Sequence, residues 1–527
     1  MIQREIRVNP WWTLAVLCLS LVLVVVGNTV LNVALPTLVR ELGATSSQLQ
    51  WMVDSYALVF AGLLLTTGAL GDRFGRKGAL ILGLVIFGGA SLASTFADSA
   101  DHLVITRAIM GLGAAFVMPA TLSILTSVFP PDQRARAIAV WAGFAGAGAA
   151  LGPVAAGWLL ERFFWGSVFY LNVPIVIVAL IAGRWLVPTS RDESHVALDL
   201  TGAALSIAGL GALLYGIIEA PNYGWTDPLV LSAFVVAVVV LGAFVAWELR
   251  SEHPMLDLTF FKNPRFTAAS VAIMLVFFAM FGTFFLFTQY LQIVRSYTPL
   301  EAGLRTLPMA ATMMVMAPMS ARFVERWGAR TIVTGGLGFV AAGLGFASLL
   351  GETTPYIWLA GVLVVMAIGM SITMAPATAS IMASLPLRKA GVGSAWNDTT
   401  RELGGALGVA VLGSVMSSQY ASALTGELNG VPANVGAIAE SSVGAAVQIS
   451  AQLPSAVGGA LSAAAKSAFI DAMGVALVVA AGVALVAAAV VRRYLPGTAD
   501  ELVLLKVTEP PEPAPGDSAP EFTFSSS

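Results

Sequence analysis

The sequence has 527 residues, of which 57% are hydrophobic and 11% are charged, with a formal net charge of −3. Soluble domains carry about 25% charged residues, so this composition excludes an ordinary soluble protein and indicates a chain that lies in a bilayer. The single cysteine, Cys18, excludes an internal disulfide. The three histidines are not spaced as metal ligands, so we expect no metal site.

Long apolar segments recur along the chain, each bounded by charged residues or by Pro and Gly. About 20 apolar residues in a helix cross the hydrocarbon core, and a helix satisfies its own backbone hydrogen bonds in lipid. The first segment is too long for a signal-peptide core, and we interpret it as a retained helix. The sequence predicts fourteen transmembrane helices, at 11–35, 50–70, 78–97, 101–125, 136–160, 165–186, 199–219, 229–249, 266–291, 302–323, 331–350, 356–380, 400–419 and 469–491.

Basic residues are concentrated in alternate loops. Cytoplasmic loops are enriched in Lys and Arg, so this asymmetry predicts that both termini lie in the cytoplasm of a bacterial cell. With this orientation, most of the 27 Lys and Arg residues lie in cytoplasmic loops and tails. The ones that do not are Arg40, Arg107, Arg162, Arg295, Arg305 and Lys466.

Two ionisable residues interrupt the second and fourth spans. Arg107 costs roughly 2.5–3.5 kcal/mol in a helix core, so it must face a cavity, a carboxylate or backbone carbonyls, unless it snorkels to the outer face. Proton coupling needs a carboxylate whose proton affinity changes with its access to water. Asp54 is the first candidate, with Arg107 as its partner, and Glu219 at the end of span 7 is the second.

The turn after span 2 is unusually charged, and a similar string follows span 10. Residues 72–77 read Asp-Arg-Phe-Gly-Arg-Lys, and residues 325–330 read Glu-Arg-Trp-Gly-Ala-Arg. This repeat predicts two six-helix halves, with spans 7 and 8 inserted between them, and a substrate site between the halves. We therefore divide the chain into an N-terminal bundle (1–190), the inserted pair (191–262), a C-terminal bundle (263–493, with an outer loop at about 420–467) and a disordered cytoplasmic tail (494–527). A short amphipathic helix at about 443–466 is compatible with the outer loop.

Span 5 carries a glycine pattern, Gly148, Gly152, Pro153 and Gly157. Glycines one turn apart let two helices approach closely, and the proline kinks its helix. The pattern is compatible with tight packing alone, without any implication for the direction of transport.

Aromatic residues are dense in span 9 and occur in span 2. We expect Trp51, Tyr56, Phe281 and Phe285 to line an apolar cavity, although their spacing is equally compatible with lipid or helix contacts. Such a cavity suits amphipathic organic molecules better than sugars or inorganic anions.

Taken together, these patterns make the chain similar to the 14-helix drug:proton antiporters of the major facilitator superfamily. The resemblance covers residues 11 to about 493 and rests on the 71–77 turn, the Gly148–Gly157 pattern, Arg107, and Thr29, Asn32 and Pro36 in span 1. It implies an all-α membrane fold of two six-helix bundles and two inserted helices. The chain departs from the family at Gly27, where an acid is usual, and at Met110, where glutamine is usual.

The resemblance also implies roles for these residues. The turn would hold a cytoplasmic gate shut by facing the start of span 13, Arg107 would take part in proton coupling, and the span 5 pattern would favour export. The implied gate residues are Gly71, Asp72, Arg73, Gly75, Arg76, Lys77, Asp398, Arg401 and Glu402. For the basic residues of the turn, topology anchoring is the alternative.

The leading functional hypothesis is a monomeric, non-enzymatic exporter of lipophilic compounds that is driven by the proton gradient and needs no cofactor or nucleotide. The sequence contains no phosphate-binding loop of the Gly-x4-Gly-Lys-Ser/Thr type, which disfavours ATP-driven transport. Alternatives are an exporter of one endogenous metabolite, lipid or antibiotic, a membrane-embedded transferase, and a transport-dead receptor. The absence of an acid at Gly27 keeps neutral and anionic substrates open.

Overall fold

The computed structural model describes residues 9–190, 199–252, 254, 257–385, 390–428 and 432–495, and every regular element in these ranges is helical. The predicted tail after 495 lies outside the described residues.

The N-terminal half consists of seven helices, two of which form the sixth predicted span. Helix α1 begins where Asn9 accepts a hydrogen bond from the Trp11 amide, and it ends at Gly43 in the left-handed region. Helix α2 begins with a capping box formed by Thr45 and Gln48. The helices are α1 (Pro10–Leu42), α2 (Ser46–Phe74), α3 (Arg76–Thr95), α4 (Ala100–Val128), α5 (Pro131–Arg162), α6 (Ser167–Tyr170) and α7 (Asn172–Leu186).

The inserted pair is α8 (Leu200–Tyr223) and α9 (Pro228–Glu248), which pack against each other. Asp199 and Asp227 cap the two helices by accepting backbone hydrogen bonds. Most apolar side chains of α9 are exposed, as expected for a helix that faces lipid.

The C-terminal half begins after a short 3₁₀ turn, Leu258–Lys262. Its first long helix, α10, continues into a π-helical turn at Tyr290–Val294. The helices are α10 (Pro264–Gln289), α11 (Pro299–Arg305), α12 (Leu307–Trp327), α13 (Ala329–Ala347), α14 (Tyr356–Ala383), α15 (Ala390–Thr425), α16 (Ala433–Ser441), α17 (Val443–Ser450) and α18 (Ser455–Tyr494).

The helices fall where the sequence predicts spans, with two differences. Among the described residues, twelve candidate spans are long and apolar enough to cross a membrane, and α5 and α12 are not among them, so the count of fourteen stays a prediction. In the outer loop, the residues of the expected helix at 443–466 form the short helix α17 and the first turns of α18, which begins at Ser455 rather than near 469. Small residues between 420 and 467 gave no clear apolar period, which is why these boundaries were wrong.

The internal repeat is visible in the backbone. Gly75 and Gly328 occupy the same position in the two matching turns, and both have positive φ, 121° and 79°. Such angles are strained for any residue with a Cβ. The repeated turn therefore has the same glycine-dependent form in each half.

The two halves are held together at one end. We call this end the outer side, because the basic residues predict that the 71–77 turn, at the opposite end, lies on the inner, cytoplasmic side. The hydrogen bonds that join described residues of the two halves all lie on the outer side. They pair Gln292 with Val33, Leu300 with Glu161, Ser414 with Gln50, Ser46 with Ser441, and Gln448 with Arg40.

Candidate functional site

Arg107 is fully buried in the N-terminal half, so it does not snorkel to the outer face. Its Nε donates to the Met52 carbonyl and its Nη1 donates to the Gly27 carbonyl, both at 3.0 Å. The guanidinium lies 4.3 Å from the centre of the Tyr56 ring, a distance at which a cation is attracted to the ring face. Arg107 thereby ties α4 to α1 and α2 through backbone carbonyls, and the expected pairing with the Asp54 carboxylate is wrong for this structure.

Position 27, where the family resemblance implies an acid, has no room for a side chain because the Phe87 ring lies against it. A Cβ on Gly27 would lie 2.6 Å from the tip of Phe87, which is closer than real contacts allow. An acid at this position would need Phe87 to move, and the Gly27 carbonyl is instead bonded to Arg107. This part of the N-terminal half thus has a buried cation without an adjacent carboxylate from α1.

Asp54 is fully buried on α2. Neither carboxylate oxygen has a hydrogen-bond partner among the described residues. An ionised carboxylate in such surroundings is costly, so the environment favours a neutral, protonated side chain. The Asn32 Oδ1, the Tyr56 hydroxyl and the Arg107 Nη2 are likewise buried without a described partner.

The acids at the start of span 13 lie on α15. Asp398 accepts a 3.4 Å hydrogen bond from Arg401 of the same helix, and Arg401 lies 5.5 Å from the centre of the Phe277 ring. Glu402 lies one turn before Ala406 on α15, and Ala406 is buried together with Ala57 of α2 in the other half. Glu402 therefore faces the interface between the halves, in addition to its neighbours in the predicted gate.

Among the described residues, the predicted gate turn bonds within its own half. Asp72 pairs with Arg76 at 2.6 Å, and Arg76 also reaches the Ser123 carbonyl. Lys77 donates to the Arg184 carbonyl, and Arg73 lies over the Phe74 ring. The predicted contact between Asp72 and the start of α15 is not formed among the described residues. That contact needs an approach of the inner ends of the halves, and the halves here join at their outer ends.

The glycines of α5 lie against two different partners. Gly148 and Gly152 face α1, where a Cβ on Gly152 would collide with the Thr29 hydroxyl. Gly157 faces α11 of the other half, and a Cβ there would lie 2.5 Å from the Leu300 Cα and 2.6 Å from the Pro299 carbonyl. Conversely, a Cβ on Gly303 would lie 2.7 Å from the Pro153 carbonyl. The pattern thus allows backbone-to-backbone contact between the halves on the outer side.

The helix 1 motif packs beside these glycines. Thr29 donates within α1 to the Val25 and Val26 carbonyls, Asn32 is buried, and Pro36 lies inside the helix. Thr29 and Gly152 form the contact between α1 and α5, so this motif contributes to packing within the N-terminal half.

The four aromatic residues predicted to line one cavity have separate neighbours. Tyr56 and Phe285 are fully buried, Phe281 stacks on Phe277 at 6.0 Å, and Trp51 donates its indole N–H to Glu219 at 3.2 Å. A single aromatic cavity formed by these four is therefore not found. Helical spacing alone did not distinguish buried faces from a shared opening.

Sequence reasoning missed the polar residues at the outer contact between the halves. Ser414 is buried on α15 and donates to the Ile217 carbonyl of α8 at 2.6 Å and to the Gln50 side chain of α2 at 3.3 Å. A serine and a glutamine in apolar spans were the only signals, and neither identifies its partner.

Two helical halves that join at their outer ends, with ionisable side chains buried near their interface, define a polytopic membrane transporter. A family model described as Major Facilitator Superfamily matches residues 17–409. The chain belongs to this superfamily, which makes it a transporter rather than an enzyme, with small molecules as substrates.

Similar proteins cover most of the chain. The multidrug efflux pump LfrA of Mycolicibacterium smegmatis is 36% identical over 82% of this chain and 86% of that protein. The tetracenomycin C resistance and export protein of Streptomyces glaucescens is 32% identical over 79% of this chain and 77% of that protein. Since these relatives are bacterial, the chain is a multi-span protein of a cytoplasmic membrane.

The fold is also similar to a solved structure. A crystal structure of a bacterial homologue of the human lysosomal transporter Spinster, in an inward-facing and unoccupied conformation, has a TM-score of 0.63. The likeness covers 93% of this chain and 99% of that chain at 17% identity, so it concerns the fold alone.

Proposed function

We propose that this protein exports lipophilic or amphipathic small molecules in exchange for protons, by alternating access between its two halves. The relatives, a multidrug efflux pump and a resistance and export protein, support export of toxic organic compounds. The protein acts as a monomer in the bilayer, with both termini in the cytoplasm.

The observation that carries the proposal is the one-sided junction of the halves. Every hydrogen bond between described residues of the two halves lies on the outer side, while Asp72, Arg76 and Lys77 bond within their own half. This arrangement is the one expected of a state that is open to the cytoplasm. In the opposite state, the inner ends approach and Asp72 faces the start of α15.

Buried carboxylates support protons as the coupling ion. Asp54 lacks hydrogen-bond partners in the described structure, so a proton is the simplest way to neutralise it. Glu402 lies one turn from Ala406, which packs against Ala57 of α2, so a change in the separation of the halves would change the access of its carboxylate to water. Asp54 is the first proton carrier that we propose, with Glu402 of α15 and Glu219 of α8 as the next candidates.

The test of coupling uses inverted membrane vesicles that contain the protein and a fluorescent cationic dye, ethidium. We expect dye accumulation to stop when a protonophore dissipates the proton gradient while ATP is kept constant. Vesicles without the protein give the background. Continued accumulation without a gradient would contradict proton antiport.

The substitution Asp54→Asn tests the first proton carrier. Because an amide is nearly isosteric and cannot take up a proton, we expect gradient-driven accumulation to fall to the background of vesicles without the protein, with unchanged membrane insertion. Asp101→Asn, an exposed acid near the outer end of α4, is the matched control. Normal coupled transport by Asp54→Asn would move the proton site to Glu402 or Glu219.

A second candidate is a dedicated exporter of one neutral or anionic compound. This candidate is favoured by the buried Arg107, whose partners are the Met52 and Gly27 carbonyls. Because position 27 is a glycine, it supplies no carboxylate that would bind a cationic substrate. A toxicity screen of cells with and without the protein, across cationic, neutral and anionic compounds, separates the two candidates. Resistance to a single compound would support the dedicated exporter.

A further inference from the structure

The inserted helix α8 lies against both halves on the outer side. Toward the N-terminal half, Glu219 accepts a hydrogen bond from the Trp51 indole at 3.2 Å, and the rings of Trp51 and Tyr215 are 6.4 Å apart. Deeper in the bundle, a Cβ on Gly62 of α2 would collide with the Ile207 side chain. Helix α8 is thus fitted to α2 over three turns, from Ile207 to Glu219.

An adjoining face of α8 meets α15 of the C-terminal half over a surface of similar extent, formed on α15 by smaller side chains. Small residues of α15, Ala406 and Ala410, are buried with Leu214 and Ile218 of α8. Among the described residues, one hydrogen bond joins the helices, from the Ser414 hydroxyl to the Ile217 carbonyl at 2.6 Å. Alanine methyl groups offer little interlocking, so this face can separate more easily than the face on α2.

Helix α8 therefore cannot keep both contacts if the outer ends of α2 and α15 part. Its contact with α2 includes side chains that insert between the two helices, at Gly62 and at Trp51. Its contact with α15 depends on Ser414 and on apolar packing against two alanines. When the outer ends of α2 and α15 part, we therefore expect α8 to lose its contact with α15 and to keep its contact with α2.

We propose that α8 moves with the N-terminal half, and that its contact with α15, centred on Ser414, is a separable seal of the outer side. The proposal rests on the alternating access proposed above. It gives the inserted pair a mechanical role, and it makes Ser414 a positioning residue that stabilises the state closed to the outside.

The test follows distances between spin labels by pulsed electron paramagnetic resonance, in lipid nanodiscs at acidic and at alkaline pH. Labels are placed in pairs on three exposed outer positions, in a chain in which Cys18 is replaced by alanine. The positions are Asp98 for the N-terminal half, Tyr223 for α8 and Thr353 for the C-terminal half.

We expect the distance between Asp98 and Thr353 to show two populations. In the population with the longer Asp98–Thr353 distance, the distance from Tyr223 to Thr353 should also be longer, while the distance from Tyr223 to Asp98 stays constant. A constant distance from Tyr223 to Thr353 would overturn the role of α8 but leave alternating access intact. A single distance between Asp98 and Thr353 under all conditions would overturn alternating access itself.

The substitution Ser414→Ala tests the seal. Loss of one typical buried hydrogen bond should raise the ratio of long to short Asp98–Thr353 distances about fivefold. The matched control is Ser206→Ala, which removes a hydroxyl of α8 that bonds only to the Ala203 carbonyl of the same helix. An unchanged ratio for Ser414→Ala would overturn the seal.

The hydroxyl of Ser414 also reaches Gln50 of α2, at 3.3 Å, so a second variant separates the two bonds. Gln50→Met removes this contact and leaves the Ser414–Ile217 bond in place. We expect a smaller rise than for Ser414→Ala. An equal rise would assign the seal to direct contact between α2 and α15, and would overturn the role of α8.

Discussion

Two of the regions that close the outer side use different kinds of contact. On the glycine side, α5 meets α11 directly, with Gly157 against the Pro299 and Leu300 backbone and Gly303 against Pro153. On the bridged side, α2 and α15 meet through side chains and through the inserted helix α8, with Ser414 at the centre. Backbone contacts cannot adjust to an added atom, whereas side chains can change rotamer. We infer that the glycine side fixes how closely the halves approach, and that the bridged side sets how readily they part.

The largest effect is expected on the glycine side, for Gly157→Ala. The added methyl group would lie 2.5 Å from the Leu300 Cα, and overpacking of this kind costs about 1–3 kcal/mol. The state closed to the outside should become less populated, and the Asp98–Thr353 distance should lengthen. Gly143→Ala, on the same helix with open space around it, is the control. Equal behaviour of the two variants would refute the fixed contact.

A smaller effect is expected on the bridged side, for Gly413→Ala. A Cβ there would lie 2.7 Å from the Gln50 side chain, which can move away at the expense of its bond to Ser414. We expect a cost of about 1 kcal/mol, the value of one hydrogen bond, in the same distance measurement. A cost as large as that of Gly157→Ala would remove the distinction between the two sides.

The smallest effect is expected for Glu161→Gln, at the exposed edge of the glycine side. Its carboxylate accepts a hydrogen bond from the Leu300 amide at 3.2 Å, and the amide oxygen of glutamine can replace it. The cost should stay within about 0.5 kcal/mol, as for most surface substitutions. Combined with Ser414→Ala, it should add to the cost of that variant, because distant sites act independently. Strong coupling between them would mean that the two sides open as one unit.

The sequence predicts the elements of this fold better than their partners. Apolar length and charged boundaries indicate the helices, and the repeated turns indicate two halves, because these signals are local. The Gly148–Gly157 pattern predicts close approach, but it does not tell that Gly157 meets a different half from Gly152. For Arg107, the cost of burial requires carbonyls or a carboxylate, yet the choice of Gly27 and Met52 depends on where three helices cross.

Contacts between residues that are far apart in the sequence could not be predicted from the sequence. Trp51 and Glu219 lie 168 residues apart, and nothing in either span indicates the other. The aromatic residues of spans 2 and 9 look alike in sequence, although Trp51 binds α8 and Phe285 is buried in the core. A pair of inserted spans carries no sequence signal for which half it accompanies.

The short helices α16 and α17 link the halves through hydrogen bonds that each use a main-chain oxygen. Ser46 donates to the Ser441 carbonyl and Gln448 to the Arg40 carbonyl, while Tyr420 of α15 fixes α16 within the C-terminal half by donating to the Ala439 carbonyl. A carbonyl acceptor is present whatever side chain its residue carries. Evolution and protein engineers can therefore vary the residues that supply these acceptors with little penalty, but shortening the segment would pull its anchor points out of reach.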